Sequence, residues 1–161
     1  MKVYLETSVI GGSLDKDEPK FRKFSNELFK SIKQNINQGF ISTLVLEEIS
    51  KAPTKKKIKL DRKISRLKLM VLEIDEKVLT LARKYTESKL IPEKFRPDAI
   101  HIAIATVNSL DILASWNQTH IVKPKTINGV NAINRLNGFK EIKIVTPEMV
   151  IKWQEQKNPN S

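Results

Sequence analysis

A chain of 161 residues, 40% apolar and 29% charged, has the size and make-up of one folded domain and excludes a disordered one. No run approaches the ~18 apolar residues of a membrane span, and an acid as early as Glu6 argues against a secretory signal, so the cytoplasm is the expected compartment. The absence of cysteine excludes disulfides, thiolate metal sites and a Cys nucleophile, while 29 Lys and Arg against 18 Asp and Glu give a net charge of +11 that suits a polyanionic partner.

In chain order, Val3-Tyr4-Leu5 reads as a first strand running into Glu6-Thr7-Ser8. Phe21, Phe24, Leu28, Ile32 and Ile36 repeat at three and four, which predicts a helix over 20–38 ended by Gly39. Phe40-Ile41-Ser42 is a second strand, and Ser42 or Thr43 caps a short helix from Leu44 to Ser50 that Pro53 stops. Residues 54–69 carry Ile58, Arg62, Leu67 and Leu69 in an imperfect helical pattern, and Met70 to Ile74 reads as a third strand. Asp75 caps a helix whose inner face is Val78, Ala82 and Tyr85, broken before Pro92. Pro97 suits the first turn of a helix that is apolar almost all round from Ala99 to Val107, hence buried. Asp111 to Ser115 is a fourth strand; Ile127, Val130, Ile133 and Leu136 mark a short helix over 126–136 ended by Gly138. Ile142 to Val145 is a fifth strand, and Thr146-Pro147-Glu148 opens a last helix through Trp153. Residues 1–155 form the domain and 156–161 a polar tail. Strands alternating with helices predict an α/β fold with a mostly parallel sheet covered on both faces.

In such sheets ligands bind beyond the carboxyl ends of strands, where strand order reverses. Polar residues that follow strands are therefore the candidates: Glu6, Glu47 and Glu48, Asp98 at the mouth of its apolar helix, and the run Ser115-Trp116-Asn117-Gln118-Thr119-His120. Carboxylates gathered in a cleft repel unless a cation neutralises them, and oxygen donors suit Mg²⁺ or Mn²⁺. The simpler reading is that Asp98 complements a helix dipole and Glu6 merely ends a strand. Residues 51–70 hold nine bases against one acid, Asp61. Of these, Lys55, Lys56, Lys57, Arg62 and Lys63 are candidates for phosphate contacts, the alternative being a solvated helix face.

The segments Tyr4-Leu5-Glu6-Thr7-Ser8-Val9, Ser42-Thr43-Leu44-Val45-Leu46-Glu47-Glu48-Ile49, Pro97-Asp98-Ala99-Ile100-His101-Ile102-Ala103 and Leu113-Ala114-Ser115-Trp116-Asn117 resemble, in the same order, those of PIN-domain proteins, metal-dependent ribonucleases that include VapC-type toxins. The resemblance implies a three-layer αβα fold with five strands in the order 3-2-1-4-5. It implies Glu6, Glu48 (with Glu47 as the fallback) and Asp98 as metal-holding acids for Mg²⁺ or Mn²⁺, with Asn117 assisting; RNA as substrate; an antitoxin partner; and a homodimer. Glu6 stands where the family usually has Asp, and Asn117 where it often has Asp, which fits a subgroup with Leu-Glu-Thr-Ser and Ser-Trp-Asn runs. Ser8 and His101 are expected to support the carboxylates from behind, while Thr7 closes the turn after the first strand. Trp116 is expected to pack and not to stack on a base. The expected function is a metal-dependent endoribonuclease; the alternative is a catalytically silent nucleic-acid- or partner-binding module. An acidic receiver domain fits the basic charge poorly, and no phosphate-binding glycine loop or Gly-x-Ser-x-Gly elbow is present.

Overall fold

The computed structural model describes residues 1–157. Its centre is a five-stranded, all-parallel sheet in the order β3-β2-β1-β4-β5, formed by β1 (Lys2–Leu5), β2 (Gln38–Ser42), β3 (Met70–Leu72), β4 (Ile112–Ala114) and β5 (Lys143–Val145). Eight helices connect and flank it: α1 (Thr7–Gly12), α2 (Pro19–Lys33), α3 (Thr43–Ser50), α4 (Thr54–Ser65), α5 (Glu76–Glu87), α6 (Arg96–Val107), α7 (Pro124–Leu136) and α8 (Pro147–Lys157). Helix α5 packs on α6 and α7, and α2 packs on α8 and α1. The expected strand order and layering are found.

Burial explains the arrangement. Strand β1 is covered on both faces, so Val3, Tyr4 and Leu5 are all inaccessible, as a central parallel strand requires. Helix α6 buries seven of its twelve residues and has no polar face over its middle turns. Edge strand β3 leaves Met70 and Val71 about half exposed. The order reverses between β1 and β4, so the ends of these strands, where Glu6 and Asn117 stand, are where a ligand is expected in such a sheet.

Several local expectations are corrected. Helix α2 stops at Lys33, not at Gly39, because Asn35 adopts a left-handed turn (φ 56°) and Ile36 faces solvent. Gly39 lies inside β2, where an added Cβ would come within 2.5 Å of Leu69 and 2.9 Å of Ile32. Helix α4 ends at Ser65, so Leu67 and Leu69 lie beyond it and Leu60 is its one buried residue. Strand β3 is shorter than Met70 to Ile74. Helix α7 buries Thr126, Val130, Asn131 and Asn134, leaving Leu136 86% exposed, so its inner face is partly polar. Asn131 explains this: its Nδ2 donates to the Ile142 carbonyl and its Oδ1 accepts the Ile142 N–H, tying α7 to the start of β5. Helix α1 was not expected at all, and α8 continues past Trp153 to Lys157. Of the proposed tail, residues 158–161 lie outside the described residues.

Candidate active site

Glu6 is the residue at which β1 turns into α1, and it is 6% exposed. A buried carboxylate needs donors. Both hydroxyls near it supply them: Ser8 donates to Oε2, and Ser115, just past β4, donates to the same oxygen at 2.7 Å. Ser8 also accepts the Trp116 N–H at 2.8 Å, so the first and fourth strand ends are joined through Glu6.

Glu48 lies on the second turn of α3 and turns inward, whereas its neighbour Glu47 is exposed and pairs with Lys51. Its Oε1 accepts from Thr7 Oγ1 at 2.7 Å and from His101 Nε2 at 2.6 Å. Burial pushes the Glu48 carboxyl up, but the bond and charge of His101, the Thr7 bond and Lys51 outweigh it and hold it below the ordinary glutamate value. Thr7 is thus a carboxylate holder and not only a turn residue, which corrects the expectation for it. The cause is α1: once residues 7–12 are helical, Thr7 faces α3.

His101, one turn beyond Asp98 on α6, is fully buried. Its Nε2 also stands 4.0 Å from Glu6 Oε1, so one imidazole lies between two of the acids. Its Nδ1 meets the Tyr4 hydroxyl at 2.7 Å, and that hydroxyl meets Ser42 Oγ at 2.7 Å. A carboxylate only accepts, so Nε2 carries the hydrogen. With a neutral ring the bonds run in one direction: Ser42 donates to Tyr4, Tyr4 to His101, and His101 to Glu48, while Ser42 accepts the Val45 N–H as the N-cap of α3; with a charged ring His101 donates from both nitrogens. Burial drives the Tyr4 phenol well above its ordinary pKa, so it stays a donor. Tyr4 and Ser42 were read from the sequence only as strand and cap; that Tyr4 and Glu6 share one face of a strand by their two-residue spacing was the available signal.

Asp98 is partly buried in the first turn of α6. Burial and then the Glu6 charge raise its carboxyl above the ordinary aspartate value, against the pull of His101, His120 and a 3.2 Å bond from Asn117 Nδ2. Glu6 and Asp98 therefore share one electrostatic neighbourhood. Asn117 enters as the donor that orients Asp98; its Oδ1, the atom expected to ligate, accepts the His120 N–H at 3.0 Å. Trp116 is buried, stacked on Phe21 at 4.2 Å and bonded through Nε1 to Ser25, so it packs. His120 stacks on Phe95 at 3.8 Å beside the site.

Among the described residues, no group of three or more His, Cys, Asp or Glu side chains stands close enough together to hold a metal ion. The chemistry of the donors nevertheless suits a hydrated hard cation. One oxygen of each acid, namely Glu6 Oε1, Glu48 Oε2 and Asp98 Oδ1, takes no hydrogen bond among the described residues. An ion that keeps several waters asks for only one or two carboxylates, so it does not need an all-protein cage.

Of the basic candidates, Lys55 and Lys56 are exposed on α4, and Arg62 is exposed nearer its end. Lys57 pairs with Asp61 at 3.3 Å. Lys63 is turned toward α2, where Nζ donates to Asn26 at 2.6 Å and lies over the Phe29 ring; burial and then Lys33 lower its pKa. No helix among the described residues is long and apolar enough to cross a membrane.

No protein-family model and no curated protein matches the chain. Among solved structures, a chain in the crystal structure of VapBC2 from Rickettsia felis bound to a DNA fragment from their promoter is similar, with a TM-score of 0.56 and 19% sequence identity over 89% of this chain and 97% of that one. At that identity the likeness is one of fold. The architecture is the PIN-like α/β fold that the sequence segments implied, over nearly the full length of both chains.

Proposed function

We propose that this protein is a metal-dependent endoribonuclease whose centre is the Glu6, Glu48 and Asp98 cluster. One observation carries the reading: His101 stands between Glu48 and Glu6, and Ser115 and Asn117 link Glu6 to Asp98, so acids from the end of β1, from α3 and from the start of α6 are joined in one network that leaves each an oxygen in reserve. The Asp98 carboxyl is raised by burial and then by the Glu6 charge, and a cation held there would offset both costs. Mg²⁺ or Mn²⁺ held there would polarise a phosphoryl oxygen and favour hydroxide over water as the attacking group.

The chain's own residues do the rest. Glu6 and Asp98 supply the free oxygens that face one neighbourhood. Ser8 and Ser115 fix Glu6, Asn117 fixes Asp98, and Thr7 and His101 fix Glu48. Because every acid is oriented by a donor on its other oxygen, the geometry is set before substrate arrives. RNA as the substrate rests on the resemblance of the sequence segments. Since the fold is shared with a chain of a VapBC2 complex, we read the protein as the toxin of a toxin–antitoxin pair, with an antitoxin as partner and a homodimer as its assembly.

The test is cleavage of single-stranded RNA. Cleavage is expected with Mg²⁺ or Mn²⁺, and is expected to fall to background on chelation and in Asp98→Ala. Growth arrest on expression in a bacterial host should vanish with the same substitution. Cleavage that survives both chelation and Asp98→Ala overturns the reading. A folded wild type that binds RNA but never cleaves it favours the silent binding module.

A further inference from the structure

Two neighbouring cavities lie along α4, and the nearer one reaches Glu48. The first, about 320 Å³, is lined by Thr7, Gly11 and Glu48 at one end and by Lys51, Lys56 and Leu60 at the other. The second, about 480 Å³, lies between the α1–α2 loop and α4, with Lys16, Lys55, Lys56 and Lys59 on its walls beside Asp15 and Asp17. Lys56 lines both, which sets the two side by side at the N-terminal half of α4. The two aspartates offset only part of the second cavity's charge, since four lysines stand against them on the walls. Lys16, Lys55, Lys56 and Lys59 make no ion pair among the described residues, whereas two further α4 bases, Lys57 and Lys63, are engaged elsewhere and Arg62 lines neither cavity. The floor beside Glu48 is Gly11, where an added Cβ would meet nothing within 4 Å; at Gly12 it would meet Trp116 and Ser25 within 3.2 Å.

We propose that the two cavities form one groove that is the binding track for the substrate strand: a single-stranded polynucleotide leaves the acids over Gly11 and runs along the N-terminal half of α4, its phosphates on Lys56, Lys55 and Lys59. The assignment rests on the nuclease reading for the direction of the strand but not for the binding itself. It also divides the basic window, leaving Lys57, Arg62 and Lys63 outside the track. A groove open at Gly11 and walled by free ammonium groups recognises a phosphate backbone without reading bases.

Binding of a fluorescent single-stranded RNA, with DNA of the same sequence as the second arm, is measured by anisotropy in EDTA across a salt series. Lys56→Gln with Lys59→Gln should reduce the slope of log K against log salt by about 0.7 per lysine, the single-strand value for one phosphate contact. Lys57→Gln with Arg62→Gln makes the same charge change outside the groove and should leave the slope alone. Gly11→Glu should fold normally, since its space is open, and weaken binding by roughly tenfold or more through like charge. Equal slope losses in both pairs, or unchanged binding in Gly11→Glu with its thermal unfolding intact, overturn the track. Loss of metal-dependent cleavage in Asp98→Ala alongside unaffected groove variants would leave the nuclease standing and remove the groove. Groove variants that lose binding in a protein that never cleaves would keep the groove and remove the nuclease. Equal effects on RNA and DNA make the track a general phosphate site; an effect confined to RNA adds contacts to the sugar.

Discussion

Asp98 stands in the first turn of α6, where the helix dipole alone would favour its charged form by about 0.3–1 kcal/mol. Its carboxyl is nonetheless raised, because burial and then the Glu6 charge outweigh His101, His120 and the Asn117 bond. An acid placed only to complement a helix would be shifted the other way. The sign of the stability effect follows: a folded-state pKa above the unfolded one favours the fold at low pH and costs stability as pH rises through the folded value. Asp98→Asn, which can keep its bond with Asn117, should therefore raise the Tm of the metal-free protein at neutral pH. The gain should close as pH falls toward the unperturbed aspartate value of about 3.9. Differential scanning calorimetry at several pH values checks this. Glu48 behaves oppositely: its lowered pKa supplies stability above the ordinary glutamate range that is lost as pH falls through its folded value. The second residue-scale prediction concerns Tyr4. Tyr4→Phe keeps the buried ring but leaves His101 Nδ1 without its 2.7 Å partner, and an unpaired buried polar group costs about 1–3 kcal/mol. Urea unfolding should show that loss, and Mn²⁺ affinity should fall as His101 loses the bond that fixes its ring against Glu48. Unchanged stability and affinity would mean the Tyr4 bond carries no weight. Glu6 stands out in the sequence because it follows a strand, and Asp98 because it opens an apolar helix. Tyr4 does not, because a tyrosine in an apolar run reads as core until its hydroxyl has a partner.

Secondary structure was legible where side chains close local bonds. Asp75 accepts the Val78 N–H at 2.9 Å and Ser42 accepts that of Val45, both as the sequence pattern predicted. Asp75→Ala should cost about 1 kcal/mol, the usual value for a lost N-cap, read as a shift of the urea midpoint without change of slope. Elements were misread where tertiary packing decides. Helix α1 has six residues, and two of them, Gly11 and Gly12, are each about 1 kcal/mol less favourable than alanine in a helix. It forms because Val9 and Ile10 are fully buried and Gly12 lets Trp116 approach. Gly39 reads as a helix stop but serves β2 by admitting Leu69 and Ile32 over its Cα. Gly39→Ala should therefore destabilise by about 1–3 kcal/mol through overpacking, although alanine is ordinarily the better residue. A stability gain instead would show that Leu69 moves aside freely.

At the scale of the whole molecule, the alternation of strands and helices specifies the layers, and parallel pairing then brings residues 6, 98 and 117 to one end of the sheet although they are far apart along the chain. The net charge of +11 is a poor guide to that end, because the site itself is acidic. On the proposed reading the two facts are complementary: a basic surface would gather a polyanion, and a local concentration of carboxylates would exclude it until a cation neutralised the pocket. A divalent ion that binds only the folded chain must then stabilise it. At about 100 times Kd, linkage supplies roughly 2.7 kcal/mol. A domain of this size shifts its Tm by about 2–4 °C per kcal/mol, so a rise of roughly 5–11 °C is expected with saturating Mn²⁺. In Asp98→Ala the rise should largely disappear, since one of the two oxygens facing the same neighbourhood is gone. Equal rises in both proteins would place the ion elsewhere, and the network that joins Glu6, Glu48 and Asp98 would then be an arrangement of hydrogen bonds without a cation to hold.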